Sequence, residues 1–580
     1  MFINKQQLAN NSIKYTTELT SFIERQHRWF VPLVSFAFIL FITGLWLPFH
    51  WQKYGSLDHS LTYTSYEAIR LLVWKYEQFP IYLQNINGGL DCWADPQSMT
   101  LGLFNLFPLL WGSIIGHKLA LLTAYLIGTA GTYHLAKKIQ GNTAIALAIS
   151  LSYASLGYFA HHLIEAGHSN FLYFHLTPLL GYAIYSQYTS KITLWNSLII
   201  VFVYLQMVLG GALPMLVITL CSLIPFILVS TWPKYPFTLF QALLGIGSIL
   251  LAGIKVYPFF AVFGGSPRVV SDTAGMNLQH LLLALTDHQP HTETGSISYH
   301  GWWEHGIGIG IILPLLAIFF LPKLRNWKGI GILFLLILWF AMGNSPTYFN
   351  PWYIANTYLP VFENFRAPFR FFIGPALACI VLIPFGLKKA PQYTPYALLA
   401  LGVSLLYATA NVLSISKSTT TSINSSDITN SYKTGNTSAK VVSITPELEY
   451  YQYQMMAEDK HIVNTNYPLL DHVKHEQTAF LTGATLVANN QRSILLVADK
   501  DTIATSINYS PFWQISGGGL HNESGKLSIQ TSKGSEIQLH YRPTYWNIGW
   551  IISGIGFIFL AALVFWATRR LQPTADAPLN

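Results

Sequence analysis

Acidic side chains are scarce in this chain, and several fall in one stretch. Only 25 Asp and Glu occur among 580 residues. Residues 55–110 hold Asp58, Glu67, Glu77, Asp91 and Asp95. A carboxylate can take the proton from a hydroxyl or amine as it attacks, the work of a general base. Carboxylate oxygens also suit Mg, Ca or Mn. Asp58 opens the helix-like run LDHSLTYTSYEAIRLLVW. It is either that helix's N-cap or a base. Asp91 and Asp95 flank a Trp in GGLDCWADPQS, which carries Gly-Gly and Asp-Pro turn signals. They serve as turn and cap residues, as ligands to a substrate hydroxyl, or, with Asp58, as a site for a divalent cation (Mg or Mn). Spacing does not decide among these.

A second group is His161, His162, Glu165 and His168. Imidazoles in such a cluster could bind a transition metal. HHxxExxH does not match the zinc-hydrolase spacing HExxH, so hydrogen-bond donor or structural roles are preferred, with His168 facing a central cavity. Lys255, Arg268, Arg366 and Arg370 stand at or near the ends of apolar runs. They either snorkel to lipid headgroups or bind phosphate, whose oxygens match the guanidinium fork. Arg366 and Arg370 are four apart and would share a helix face. Pro368 between them marks a helix start. Glu304 follows Trp302 and Trp303 at a membrane boundary. An acid there would hold a substrate or an Arg.

The elements that must position these residues are membrane helices. The chain is 52% hydrophobic and 10% charged, with mean hydropathy +0.37. Apolar runs of about 17–25 residues recur, as spanning helices require. Twelve are expected, near residues 30–48, 116–136, 142–159, 170–188, 194–209, 213–229, 238–256, 306–321, 329–342, 371–387, 393–413 and 546–566. The first reads as a retained helix and not a signal peptide. With the N-terminus in the cytoplasm, every inside loop is basic, from Arg25 and Arg28 to Arg569 and Arg570. The net charge of +8 therefore sets orientation and does not point to nucleic acid. No acid lies at the centre of an expected span, which disfavours an ion-driven transporter. Cys92, Cys221 and Cys379 are too few and too dispersed for a disulfide framework.

The fold class expected is a polytopic α-helical membrane protein of about twelve transmembrane helices, with a small extracytoplasmic β-sandwich before the last. Residues 1–413 form the transmembrane domain, with its first outer loop at 51–115. Residues 414–440 are a Ser/Thr/Asn-rich linker, 441–545 the β-rich domain and 546–570 the last helix. SILLVA, TSINYS, KLSIQT and EIQLHY within 493–541 read as strands.

A series of motifs in this order resembles the YfhO-like membrane proteins. They are the loop with Asp58, Phe79-Pro80, Gly88-Gly89 and ADPQS at 94–98, then Gly167-His168 and Gly210-Gly211 in LGGALP. KVYP at 255–258, Pro267-Arg268 and WWEHGIGIG at 302–310 follow. GNSP at 343–346, FRAPFRF at 365–371, YSPFWQ at 509–514 and YRP at 541–543 complete the set. The departures are SLD for the usual Gly-Asp, Phe369 for a commoner Ser, and GGALP without a following His.

The resemblance implies the GT-C class of membrane glycosyltransferases, a polyprenyl-phosphate sugar donor, and transfer to an envelope glycan or lipid acceptor on the outer face. The implied setting is the bacterial cytoplasmic (inner) membrane, among membrane lipids, with both termini inside and the β-domain outside. Asp58 falls where the family keeps its catalytic first-loop acid. Lys255, Arg268, Arg366 and Arg370 fall in its basic motifs, where contact with phosphate is inferred. A single base then suffices, because lipid phosphate is a good leaving group and cations replace a general acid. The competing expectations are a flippase or transporter of lipid-linked glycans, and an envelope assembly scaffold.

Overall fold

The structure is a computed structural model. It describes residues 5–44, 52–54, 57–83, 89–221, 235–263, 278–286, 304–324, 326–343, 350–359, 362, 367–422, 441–444, 461–464, 481–489, 492–523 and 526–571. Five helices among these are long and apolar enough to cross a membrane: Ser113–Gln140, Thr143–Glu165, Pro368–Lys389, Pro391–Ile415 and Tyr545–Arg570. A bent pair, Pro236–Leu251 and Gly253–Val262, meets at 66° and makes a sixth, broken span if its halves cross as one. The twelve expected spans are therefore not reached among the described residues. Leu194–Leu209, Ile312–Lys323 and Trp327–Ala341 are shorter apolar helices. The run 170–188 divides into a 3-10 stretch, Ser169–Leu176, and the helix Thr177–Thr189. The runs 30–48 and 213–229 extend beyond the described residues. Apolarity alone does not separate a continuous helix from one interrupted by a tight turn.

Local chemistry explains the central hairpin. Gly141 at φ +90° ends the helix Ser113–Gln140, with its N–H donating to Lys137 O. Asn142 then caps the next helix, its side chain accepting from the Ile145 N–H at 3.1 Å. Small residues allow these helices to approach their neighbours. Gly131 lies against the Pro178–Leu179 backbone, where a Cβ would collide. The helix Thr143–Glu165 is almost wholly buried, while Tyr545–Arg570 is about one-third buried and turns Ile555, Phe557 and Ile558 outward. That last helix packs on both halves of the broken span. At the break, the Ile254 N–H donates to the Ser553 hydroxyl at 3.0 Å. A side chain thus takes over a backbone hydrogen bond that the bend would leave unmade.

The β-domain has two four-stranded antiparallel sheets. One runs in the order Gly519–Glu523, Lys526–Gln530, Thr502–Asn508, Leu481–Thr482. The other runs Trp513–Ser516, Glu536–Tyr541, Ser493–Ala498, Ala484–Asn489. The runs singled out in the sequence fall on these strands. Period-two alternation in EIQLHY sends Ile537, Leu539 and Tyr541 inward. They join Ile494, Leu496, Ile503, Leu527 and Ile529, from both sheets, in one core.

That core does not close on itself. Ile81, Tyr82 and Trp93, from the first loop, belong to the same cluster, as does Tyr545 of the last helix. Tyr82 stacks on Tyr541 with ring centroids 4.3 Å apart, and Trp93 meets Trp546 at 4.6 Å. Asp91 fastens the junction. One of its oxygens accepts the hydroxyls of Tyr541, at 2.7 Å, and Tyr545. The other accepts the N–H groups of Trp93 and Ala94 at 3.1 and 2.9 Å. Burial pushes the Asp91 carboxyl above its usual range, against the pull of the two tyrosines, the Ala94 N–H and Lys255. The Tyr541→Phe/Tyr545→Phe double variant removes two donors from this buried acid. We expect a loss of roughly 1–3 kcal/mol, read as a lower melting temperature in detergent and faster proteolysis at the β-domain junction. Unchanged stability and protection would show that the latch does not hold the domain.

Candidate functional site

The histidine-rich segment is not the short outer turn expected for 161–169. The helical path Thr143–Glu165, interrupted at Ser155-Leu156, resumes at Gly157 and widens to a π-helix over Ala160–Glu165. Such widening often accompanies functional sites. It places His161, His162 and Glu165 on a packed helix end. Within it, His161 Nδ1 pairs with Glu165 Oε2 at 2.5 Å. Gly167 then turns the chain at φ +78°, a conformation that favours glycine. A Cβ there would also collide with the His59 backbone.

This close approach seats the first-loop helix Leu57–Trp74. His59 Nε2 lies 2.9 Å from Ile164 O, and Thr62 Oγ1 donates to Gly167 O at 3.3 Å. Ser169 Oγ donates to Thr62 Oγ1 at 3.1 Å. Asp58 is the second residue of that helix. Its neighbour His59 is the residue against Gly167, and the Asp58 side chain lies outside the described residues.

Two distant segments converge on His168. Gly306 lies on the His161 ring, and Gly157 on Gly308, in each case closer than a Cβ allows. The Tyr158 N–H donates to Ile307 O at 2.9 Å. This contact brings Glu304 to the helix end. Arg370, in the 3-10 turn Pro368–Phe372, arrives from the other segment. Its guanidinium is bidentate on Glu304: Nε donates to Oε2 at 2.7 Å, and Nη2 donates to Oε1. Tyr158 donates its hydroxyl to Arg370 O at 3.1 Å. His168 Nε2 lies 4.0 Å from Glu304 Oε1, and His168 Nδ1 lies 3.0 Å from His162 Nδ1. Phe171 floors the group, stacked on His162 with ring centroids at 4.1 Å and under the Arg370 guanidinium at 5.4 Å.

The Glu304 side chain is 2% exposed, Arg370 18% and His168 12%. The group is thus sealed on the Glu304 and His162 side and partly open at His168 and Arg370. Burial alone would push the Glu304 carboxyl up. The Arg370 guanidinium overrides that and, with His168 and His162, holds it well below the usual carboxylate range. The arrangement offers a fixed guanidinium, an imidazole donor and a buried counter-charge, a set suited to binding an anionic or hydroxyl-bearing ligand.

The remaining expected residues fall elsewhere. Asp91 is the β-domain latch, not a presented ligand. Asp95 Oδ1 accepts the Gln97 N–H at 2.9 Å, within its own turn. Lys255, expected to contact phosphate, is engaged within the protein. It is buried, and its Nζ donates to the carbonyls of Asp95, Cys92 and Ser98 at 2.6, 3.4 and 3.3 Å. It pins the first-loop turn from below. Both Asp91 oxygens are engaged within the protein, and the expected Mg or Mn site with Asp58 falls partly outside the described residues. Arg268 and Arg366 lie outside the described residues, so the shared helix face expected for Arg366 and Arg370 is not seen. Sequence reasoning missed the pairing of Tyr541 and Tyr545 with Asp91. It had only the YRP motif as a signal.

Breaking the Glu304–Arg370 pair from one side leaves a buried charge uncompensated. Glu304→Gln and Arg370→Gln should each lose roughly 3–5 kcal/mol. The Glu304→Gln/Arg370→Gln double variant should lose clearly less than their sum, read as thermal unfolding in detergent. Simple additivity would show that the two side chains are not coupled.

No protein-family model matches the chain, and no curated protein sequence matches it significantly. Among solved structures, the chain is similar to a single-particle cryo-EM structure of arabinofuranosyltransferase AftD from Mycobacteria. The TM-score is 0.46 and the identity 15%, over 72% of this chain and 29% of that one. A mutant of the same enzyme gives a TM-score of 0.42 at 14% identity, over 72% of this chain and 31% of that one. The chain spans less than a third of AftD's length, and the likeness is too distant to carry an argument about fold or function.

Proposed function

We propose that this chain is a membrane glycosyltransferase of the GT-C class, related to the YfhO-like proteins. It moves a sugar from a polyprenyl-phosphate donor to an envelope glycan or lipid acceptor at the outer face of a bacterial cytoplasmic membrane. One observation carries the reading. Segments far apart in the sequence adjoin here: the helix Leu57–Trp74 sits on Gly167, and the next residue, His168, lies beside the Glu304–Arg370 pair.

In the mechanism, Asp58 takes the proton of the acceptor hydroxyl. That oxygen attacks the anomeric carbon in line, the bond to the lipid phosphate breaks, and the anomeric configuration inverts. The departing phosphate carries the negative charge. Arg370 stabilises it, with Arg268 and Arg366 as further cations from the basic motifs. Glu304 holds Arg370 in orientation, and His168 donates a hydrogen bond to the substrate. Lys255, Asp91 and Asp95 act at a distance, by keeping the loop in shape.

Asp58→Asn removes the base and leaves a similar shape. Transfer should fall by roughly 10²–10⁴-fold with normal expression. Mass spectrometry of cell-envelope lipids and glycans should then show the same missing sugar increment as deletion of the protein. A wild-type product profile in that variant would overturn the assignment of Asp58.

A further inference from the structure

We propose that His162, His168 and Glu304 form a binding site for one first-row transition metal ion, of the zinc or manganese type. The inference is separate from the transferase reading, because occupancy is measured directly. Each residue offers a ligand atom, and these atoms lie within 4.8 Å of one another. Donors sharing one ion at bond lengths near ~2.1 Å lie roughly 3–3.5 Å apart. Closing the widest of these separations takes a shift of about an ångström.

The donor types choose the metal. Two imidazoles and one carboxylate suit Zn, Mn or Fe, whereas Mg prefers oxygen ligands and retained water. Three protein ligands leave a coordination position for water or a ligand oxygen. Glu304 can bind an ion while holding Arg370. The guanidinium takes one lone pair from each carboxylate oxygen, and a carboxylate has about four acceptor sites. His162 is fully buried. Its Nδ1 faces His168 Nδ1 at 3.0 Å. With a proton between them this contact is a hydrogen bond; with a cation in its place, the two nitrogens already stand about as far apart as two ligands of one ion do. Glu165, the acid nearest these histidines in sequence, is instead engaged with His161.

The test uses full-length protein purified in detergent without a polyhistidine tag and stripped with a chelator. Zn(II) or Co(II) is then added and the excess removed. Elemental mass spectrometry should find one equivalent per chain, and the Co(II) form should show visible absorption of a mixed nitrogen–oxygen site. His162→Ala and His168→Ala should each weaken retention by roughly tenfold or more, a loss at least as large as that from removing a supporting residue of a metal site. Glu304→Gln should do the same where it folds, checked by gel filtration and circular dichroism. If it does not fold, the wild-type titration and the two histidine variants decide the matter. Wild-type protein that retains no metal would overturn the proposal. So would retention that is unchanged in both histidine variants, since the metal would then sit on other imidazoles.

Discussion

Two carboxylates removed from water organise the end of the molecule that carries the β-domain. A buried carboxylate is tolerated only where hydrogen bonds or an opposite charge replace its hydration. Glu304 meets that condition through Arg370, and Asp91 through two tyrosines and two backbone N–H groups. Each acid therefore selects one position for segments far apart in the chain. Glu304 joins the segment before Ile312 to the turn before Ile373. Asp91 joins the first loop to the last strand and the last helix. The apolar packing around them is non-directional and would accept small slips; these polar groups would not.

Glycines make the convergence possible. The segments that carry functional candidates approach each other backbone to backbone, as Gly157 and Gly308 do, or backbone to ring, as Gly306 and His161 do. Gly211, at φ +68°, rests on the Gln97 carbonyl in the first-loop turn. A side chain at any of these positions would separate the helix end from the loop. The glycine-rich motifs noticed in the sequence are thus spacing devices, and the charged residues beside them are what they bring together.

Much of this was legible in the sequence, and the limits have physical causes. Strands in the β-domain followed from alternation, and the helical first loop from its pattern of apolar residues, because both signals are local. The grouping of Gly167-His168 with Glu304 and Arg370 was reached only as motifs in order. Whether a cation is free or engaged depends on partners that local sequence does not name. Lys255 looks like a phosphate ligand until the carbonyls of Cys92, Asp95 and Ser98 are found around it. Mean hydropathy likewise does not register a bend such as the one at Ala252-Gly253, within the run near 238–256.

The first loop is consequently a braced element and not a flap. Its helix is seated at one end by His59 on Gly167 and Ile164. Its turn is fixed at the other by Asp91 above and Lys255 below. Lys255 stands in the second half of the broken span, whose backbone is held by Ser553 of the last helix. The same helix begins with Tyr545, which donates to Asp91. Last helix, broken span, β-domain and first loop thus form a closed ring of contacts. Under the proposed mechanism a base at Asp58 needs such bracing, because an ångström of misplacement costs much of the rate of an in-line attack.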